Sequence, residues 1–424
     1  MNLKIRLALM NFLEFAAWGA YLTCMGVYLG NIGMGAHIGS FFAMQGIVSI
    51  FMPALMGIVA DRWVPAQKLL GLCHLMAGIF MMAAAWYGHT NGSQSSYAVL
   101  FGLYSVSVAF YMPTLALTNS VAYNALTKAG MDTVKDYPPI RIFGTVGFIC
   151  TMWFVDLTGF NLSEYQFVTS GAISILLFLY AFTLPACPVR SASEGKQSVS
   201  EALGLQAFSL FKKREMAIFF IFSALLGASL QITNGFATPY IQHFETMAEY
   251  AGSFGVEHAT ILYSISQISE TFCILLIPFF MKRYGIKQVM LIAMFAWVLR
   301  FGFLGLGNPG SGIWLFVLSM IIYGMAFDFF NISGSLYVDK ATDPSMRSSA
   351  QGLFVLMTNG IGATVGSIAA QQVVDIFTTQ QVMNGNIYTV GNWGATWATF
   401  SVYALIVGVA FALIFRPKSD NIKA

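Results

Sequence analysis

Val189-Arg-Ser-Ala-Ser-Glu-Gly-Lys-Gln-Ser-Val-Ser-Glu-Ala-Leu-Gly-Leu-Gln-Ala-Phe-Ser-Leu-Phe-Lys-Lys-Arg214 is the one long polar stretch in this chain. On either side of it lies a succession of long apolar runs. A helix needs about 20 apolar residues to cross the hydrocarbon core of a bilayer. Twelve runs qualify, over 5–30, 37–60, 69–88, 97–126, 138–158, 165–186, 215–240, 258–281, 286–306, 311–339, 348–376 and 393–416. They are continuously apolar and do not alternate, which predicts helices rather than the strands of a barrel. The polar stretch divides them into six and six: an N-terminal half over 1–188, a linker over 189–214 and a C-terminal half over 215–424. The linker carries the amphipathic piece 201–211, expected to lie on the membrane face beside a flexible remainder. The predicted fold class is all-α integral membrane, with twelve transmembrane helices in two halves.

Composition supports the same reading. Hydrophobic residues make up 57% and charged residues 9%, against roughly a quarter charged in soluble domains. Mean hydropathy is +0.70, so there is too little polar surface to cover a soluble globule. The basic residues are sorted by side: of the 21, all but Arg300 fall at the start, at the end, or in or at the edges of alternate gaps between the runs. Retention of Lys and Arg in the cytoplasm places both termini there and excludes a nucleic-acid-binding patch as the meaning of the net charge of +3. The first run has a basic start but is too long for a signal peptide and leads straight into further spans, so an uncleaved first helix is expected. The five cysteines show no paired spacing and read as packing residues. The histidines form no metal motif, so neither a metal site nor a cofactor is expected.

The halves echo each other. Gly57-Ile-Val-Ala-Asp-Arg62 follows the second run and Met281-Lys-Arg-Tyr-Gly-Ile-Lys287 the eighth; Tyr111-Met-Pro-Thr-Leu-Ala-Leu-Thr-Asn119 in the fourth corresponds to Phe327-Asp-Phe-Phe-Asn-Ile-Ser-Gly334 in the tenth. Weak internal repetition of six spans marks a transporter built from two repeats around a midplane site.

Polar groups inside spans are costly and therefore informative. Arg141, Thr145 and Phe148 form a stripe at helical spacing in the fifth run, Gln231 and Asn234 in the seventh, Gln267 and Glu270 in the eighth, and Tyr323 and Phe327, with Asp328 beside them, in the tenth. Arg141 reads equally as a snorkelling side chain, an ion-pair partner or a substrate contact. The amides read as helix clamps or as ligand contacts, and the aromatics alone would be ordinary core. Glu14 in the first run and Asp328 could carry a proton, or pair with Arg141 or with helix ends as structural glue. Asp156 is expected to be solvated. Asp61 and Arg62 fall in a loop where a carboxylate can cap a neighbouring helix and lock one conformation.

Gly57-x-x-x-Asp61-Arg62 resembles the loop motif of the major facilitator superfamily, with Val64-Pro-Ala-Gln67 replacing the expected glycine and basic run. More specifically, nearly the whole chain resembles the bacterial nucleoside permeases of the nucleoside:proton symporter family. The matching stretches are Phe51-Met-Pro-Ala-Leu-Met-Gly-Ile-Val-Ala-Asp61, Pro138-Pro-Ile-Arg-Ile-Phe-Gly-Thr-Val-Gly-Phe148, Leu230-Gln-Ile-Thr-Asn234, Ser264-Ile-Ser-Gln-Ile-Ser-Glu270 and Tyr323-Gly-Met-Ala-Phe-Asp-Phe-Phe-Asn-Ile-Ser-Gly334. The resemblance implies proton-driven nucleoside import by alternating access, with a site between the halves at Arg141, Thr145, Phe148, Gln231, Asn234, Gln267, Glu270, Tyr323 and Phe327. These are the stripes found from cost and spacing, and their chemistry suits a flat base and ribose hydroxyls.

The expectation is therefore a monomeric, lipid-embedded carrier of the bacterial inner membrane with nucleoside and protons as its partners. Asp61 and Arg62 gate it, and the proton-coupling candidates rank Glu270, Glu14, Asp328. A same-fold transporter of a sugar, nucleobase or organic acid is the alternative. A membrane enzyme lacks its catalytic constellation here, and a channel its repeated filter motif.

Overall fold

The computed structural model describes residues 2–187, 205–343, 346–383 and 385–417. The chain forms two compact units, Met1–His37 with Ile47–Leu203, and Ile38–Gly46 with Gly204–Ala424. The first contains α1 (Leu3–Gly19), α2 (Met25–Asn31), most of α3 (Ile38–Arg62), α4 (Ala66–Asn91), α5 (Tyr97–Tyr111), α6 (Thr114–Lys128), α7 (Thr133–Leu157) and α8 (Tyr165–Ala181). The second contains α9 (Arg214–His243), the short α10 (Phe254–Glu257), α11 (Ala259–Tyr284), α12 (Ile286–Leu306), α13 (Ile313–Ala341), α14 (Arg347–Val355), α15 (Ala363–Phe377) and α16 (Trp393–Ile414). It also takes the first turns of α3, where the Gly39 N–H donates to Gln371 Oε1 at 2.7 Å.

Among the described residues, ten helices are long and apolar enough to cross a membrane. Two of the twelve expected runs fall short of that length for different reasons. The first is broken after Gly19 and resumes at Met25, and the helix in the sixth has 17 residues. The fourth is interrupted where Pro113 lacks the N–H needed to continue α5, and α6 begins at Thr114. The eleventh changes pitch: Leu356–Gly362 is a π-helix between α14 and α15. Such bulges are frequent at functional positions, and discontinuous helices are a recurrent device of transporters. Of the linker, residues 205–214 are described; they open with a 3₁₀ segment, Leu205–Lys212, that overlaps the predicted amphipathic piece over 205–211.

Helices approach closely where glycine removes a side chain. In the first unit a Cβ on Gly147 of α7 would lie 2.2 Å from the Phe12 carbonyl oxygen of α1. In the second, a Cβ on Gly227 of α9 would lie 2.1 Å from the Thr358 carbonyl oxygen in the π segment. The first run thus packs on the fifth and the seventh on the eleventh, the same pair displaced by six runs.

A two-stranded antiparallel hairpin, β1 (Thr378–Met383) and β2 (Asn386–Gly391), joins α15 to α16 with Thr378 opposite Gly391. The sequence reading placed no element between those runs. Its signal was Asn384-Gly385 between two β-prone stretches, and Gly385 adopts the left-handed φ of 82° that the turn requires.

Candidate functional site

In the first unit, α7 carries Arg141, Thr145 and Phe148 along one face, as predicted. The Arg141 guanidinium lies 3.8 Å from the ring centre of Phe15 on α1, a cation–π contact. Phe148 is buried and meets the edge of Trp18 at 6.3 Å. Thr145 is half-buried. Asp61 and Arg62 end α3, but their side chains lie outside the described residues.

In the second unit, three helices present the remaining predicted residues. Gln231 and Asn234 on α9 are buried; Asn234 Oδ1 accepts a hydrogen bond from the Tyr263 hydroxyl on α11 at 3.1 Å, while Gln231 Oε1 is buried without a hydrogen-bond partner. An amide oxygen held out of water with nothing to accept is costly and suits a polar ligand group. Gln267 and Glu270 on α11 are half-buried. On α13, Tyr323 and Phe327 lie nearly parallel, with ring centres 5.8 Å apart and planes 9° apart. Asp328 is buried with Oδ2 unpartnered, and the Glu270 charge lies within electrostatic range of both Tyr323 and Asp328.

Two features escaped the sequence reading. Arg300 on α12 is fully buried: Nη1 donates to the Ser319 carbonyl at 2.8 Å and to Ser266 Oγ at 3.3 Å, and the guanidinium carbon sits 4.6 Å from the Tyr323 ring centre. Nε and Nη2 have no acceptor. The cation therefore backs the ring of a predicted substrate contact from α12. Its signal was already visible, since it is the one basic residue outside the charge sorting.

The second is a carboxylate–imidazole pair inside the first unit. Glu14 on α1 and His74 on α4 are both fully buried, with His74 Nε2 2.8 Å from Glu14 Oε2. The Thr118 hydroxyl donates to the same oxygen at 2.9 Å, and the Thr114 hydroxyl lies 2.6 Å from Oε1. Glu14 thus pairs with His74 rather than with Arg141. Asp156 departs from expectation too: it is buried, and Asn161 Nδ2 donates to its Oδ1 at 3.2 Å. Burying a carboxylate requires such a donor, and the turn after α7 supplies one.

Comparison with known proteins gives one consistent answer. The sequence profile described as Nucleoside H+ symporter matches residues 1–420. The nucleoside permease NupG of Escherichia coli strain K12 is 46% identical over 421 residues, spanning 99% of this chain and 97% of the relative. The xanthosine permease of the same organism is 45% identical over 424 residues, with the same coverage. A crystal structure of the nucleoside transporter NupG superposes with a TM-score of 0.87 at 45% identity, covering 99% of this chain and 100% of that one. At 15% identity, a bacterial homolog of the lysosomal transporter Spinster shares the fold, with a TM-score of 0.69 over 98% of this chain and 96% of that one. A predominantly helical multi-pass membrane protein with the major facilitator fold, the chain belongs to the nucleoside H+ symporter family and is a proton-coupled nucleoside transporter.

Proposed function

We propose that the chain imports nucleosides across the bacterial inner membrane by alternating access, as a monomer embedded in lipid with both termini in the cytoplasm. It carries out no covalent chemistry and has no nucleic-acid partner. Arg141, Thr145, Phe148, Gln231, Asn234, Gln267, Glu270, Tyr323 and Phe327 contact the substrate. Phe148, Tyr323 and Phe327 stack on the base, the amides read its polar edge, and Glu270 accepts hydrogen bonds from the ribose hydroxyls. Asp61 and Arg62 gate the conformational change. Glu270, Glu14 and Asp328 are the carboxylates available to the driving proton.

The observation that carries this reading is the parallel Tyr323–Phe327 face with the Glu270 carboxylate in electrostatic range, which pairs a flat apolar surface with an acceptor, as a nucleoside demands. Near-equal identity to a nucleoside permease and to a xanthosine permease sets the panel to be tested. Uptake of radiolabelled uridine, adenosine and xanthosine into cells expressing the protein should collapse with an uncoupler and persist when sodium is replaced. Competition by sugars or organic acids, with no competition by nucleosides, would overturn the assignment.

The aromatic residues give a finer test. Base–aromatic stacking is worth about 1–3 kcal/mol per base. Phe148→Ala and Tyr323→Ala should therefore weaken nucleoside binding by about fivefold to a hundredfold, whereas Tyr323→Phe and Phe148→Leu cost less. Equal affinities across the series by calorimetry would place the base elsewhere.

A further inference from the structure

The geometry points to the buried Glu14–His74 pair as the site that takes up and releases the transported proton, one proton per cycle. This rests on the proton-coupled reading above and narrows it to named atoms.

The pair is a built site. Three donors converge on the Glu14 carboxylate: His74 Nε2 at 2.8 Å and the Thr118 hydroxyl at 2.9 Å on Oε2, and the Thr114 hydroxyl at 2.6 Å on Oε1. In the neutral ring with Nε2–H donating, the other ring nitrogen, Nδ1, holds a bare lone pair. It is buried and has no hydrogen-bond partner. The Thr114 hydroxyl is equally constrained. It lies 2.5 Å from the Tyr111 carbonyl as well as 2.6 Å from Glu14 Oε1, and its single hydrogen cannot serve both acceptors. One added proton on Glu14 Oε1 resolves that conflict: the carboxyl donates to Thr114, which then donates to Tyr111. On His74 Nδ1 the proton would instead sit on a buried nitrogen with no acceptor in reach, so within the pair the carboxylate takes the proton and His74 holds it in place. The proton comes from water, no heavy-atom bond breaks, and the cluster goes from a net charge of −1 to zero. A buried net charge is unfavourable and a buried neutral pair much less so, so protonation changes the free energy of whatever conformation encloses the cluster.

The surroundings connect this charge to the residues assigned to substrate. The groups facing it are Cys73 on α4, Tyr111 on α5, and Tyr137 on α7, each in the field of Glu14, with the Arg141 cation in the field of both tyrosines. From α8, the Tyr180 hydroxyl meets α1 at the Arg6 carbonyl at 3.0 Å. Phe15, the residue after Glu14, lies under Arg141, and Trp18, one turn on, touches both Phe148 and Tyr111. Protonation and substrate contact therefore share one helix, α1.

The test is the number of protons carried per nucleoside in liposomes containing the full chain, read from a pH-sensitive dye and radiolabelled uridine together. The ratio is independent of how active a variant is. Wild type should give a ratio near one, and Glu14→Gln and His74→Gln a ratio below about a tenth of that. The double amide variant Glu14→Gln/His74→Gln keeps a hydrogen-bonding pair in place of the ionisable one. Its uridine binding heat, measured in buffers of different ionisation enthalpy, should lose the buffer dependence expected of wild type. A wild-type ratio in both single variants, or undiminished buffer dependence in the double variant, overturns the assignment. So does a ratio that falls only in Glu270→Gln or Asp328→Asn. A wild-type protein that moves uridine without protons would instead remove the coupled reading itself.

Discussion

Glu270→Gln is expected to lower the initial rate of nucleoside uptake by about tenfold to a hundredfold, with protein level and thermal stability close to wild type. A hydrogen bond to a charged acceptor contributes about 1.5–3 kcal/mol, and the amide keeps the shape of the carboxylate while losing its charge and one acceptor. Glu270 is half-buried on the same face of α11 as Gln267, so the change should not disturb packing. Uptake at low substrate concentration, with binding measured on the purified protein, is the check. Wild-type values in both would remove Glu270 from the substrate site.

Gly227→Val should abolish the folded protein, or lower its stability by about 3 kcal/mol or more, at the upper end of what overpacking costs. The added Cβ would stand 2.1 Å from a backbone oxygen, that of Thr358, and a backbone carbonyl in a packed π segment cannot rotate aside as a side chain can. Gly102→Ala is the control: a Cβ there meets nothing within 4 Å, and exchanging glycine for alanine in a helix gains about 0.5–1 kcal/mol. Thermal unfolding in detergent should move down for the first variant and slightly up for the second. Equal midpoints would mean that α9 and the π segment separate without cost.

The helical membrane fold was legible because a bilayer imposes length and apolarity on each span separately, and these properties are local in sequence. The same locality explains the stripes on α7, α9, α11 and α13, which need only helical spacing. What it could not reveal were pairs made between helices. His74 reads as an isolated histidine because its partner Glu14 is 60 residues away; both sit on faces chosen by packing, which a single run does not encode. Arg300 was seen as the exception to charge sorting, but its aromatic surroundings come from Tyr263 on α11 and Tyr323 on α13 as well as from its own neighbour Trp297. The breaks in the first and fourth runs and the hairpin are overruled averages. A hydropathy window passes over Pro113, and Asn384-Gly385 is a short signal between two long ones.

The separation of Glu14 from its partners has a consequence for biogenesis. Glu14 emerges from the ribosome first, His74 follows 60 residues later and Thr118 104 residues later. At about 5–20 residues per second, the carboxylate waits roughly 5–20 s before its last donor is made. Through that interval the first span carries a charge that costs about 3 kcal/mol or more in lipid. It must therefore stay against the insertion machinery, at the membrane interface, or protonated. Nascent chains halted before the fourth span should be held more weakly by the bilayer than those halted after it, and release of the first helix into lipid becomes a late event, timed by the arrival of Thr114 and Thr118.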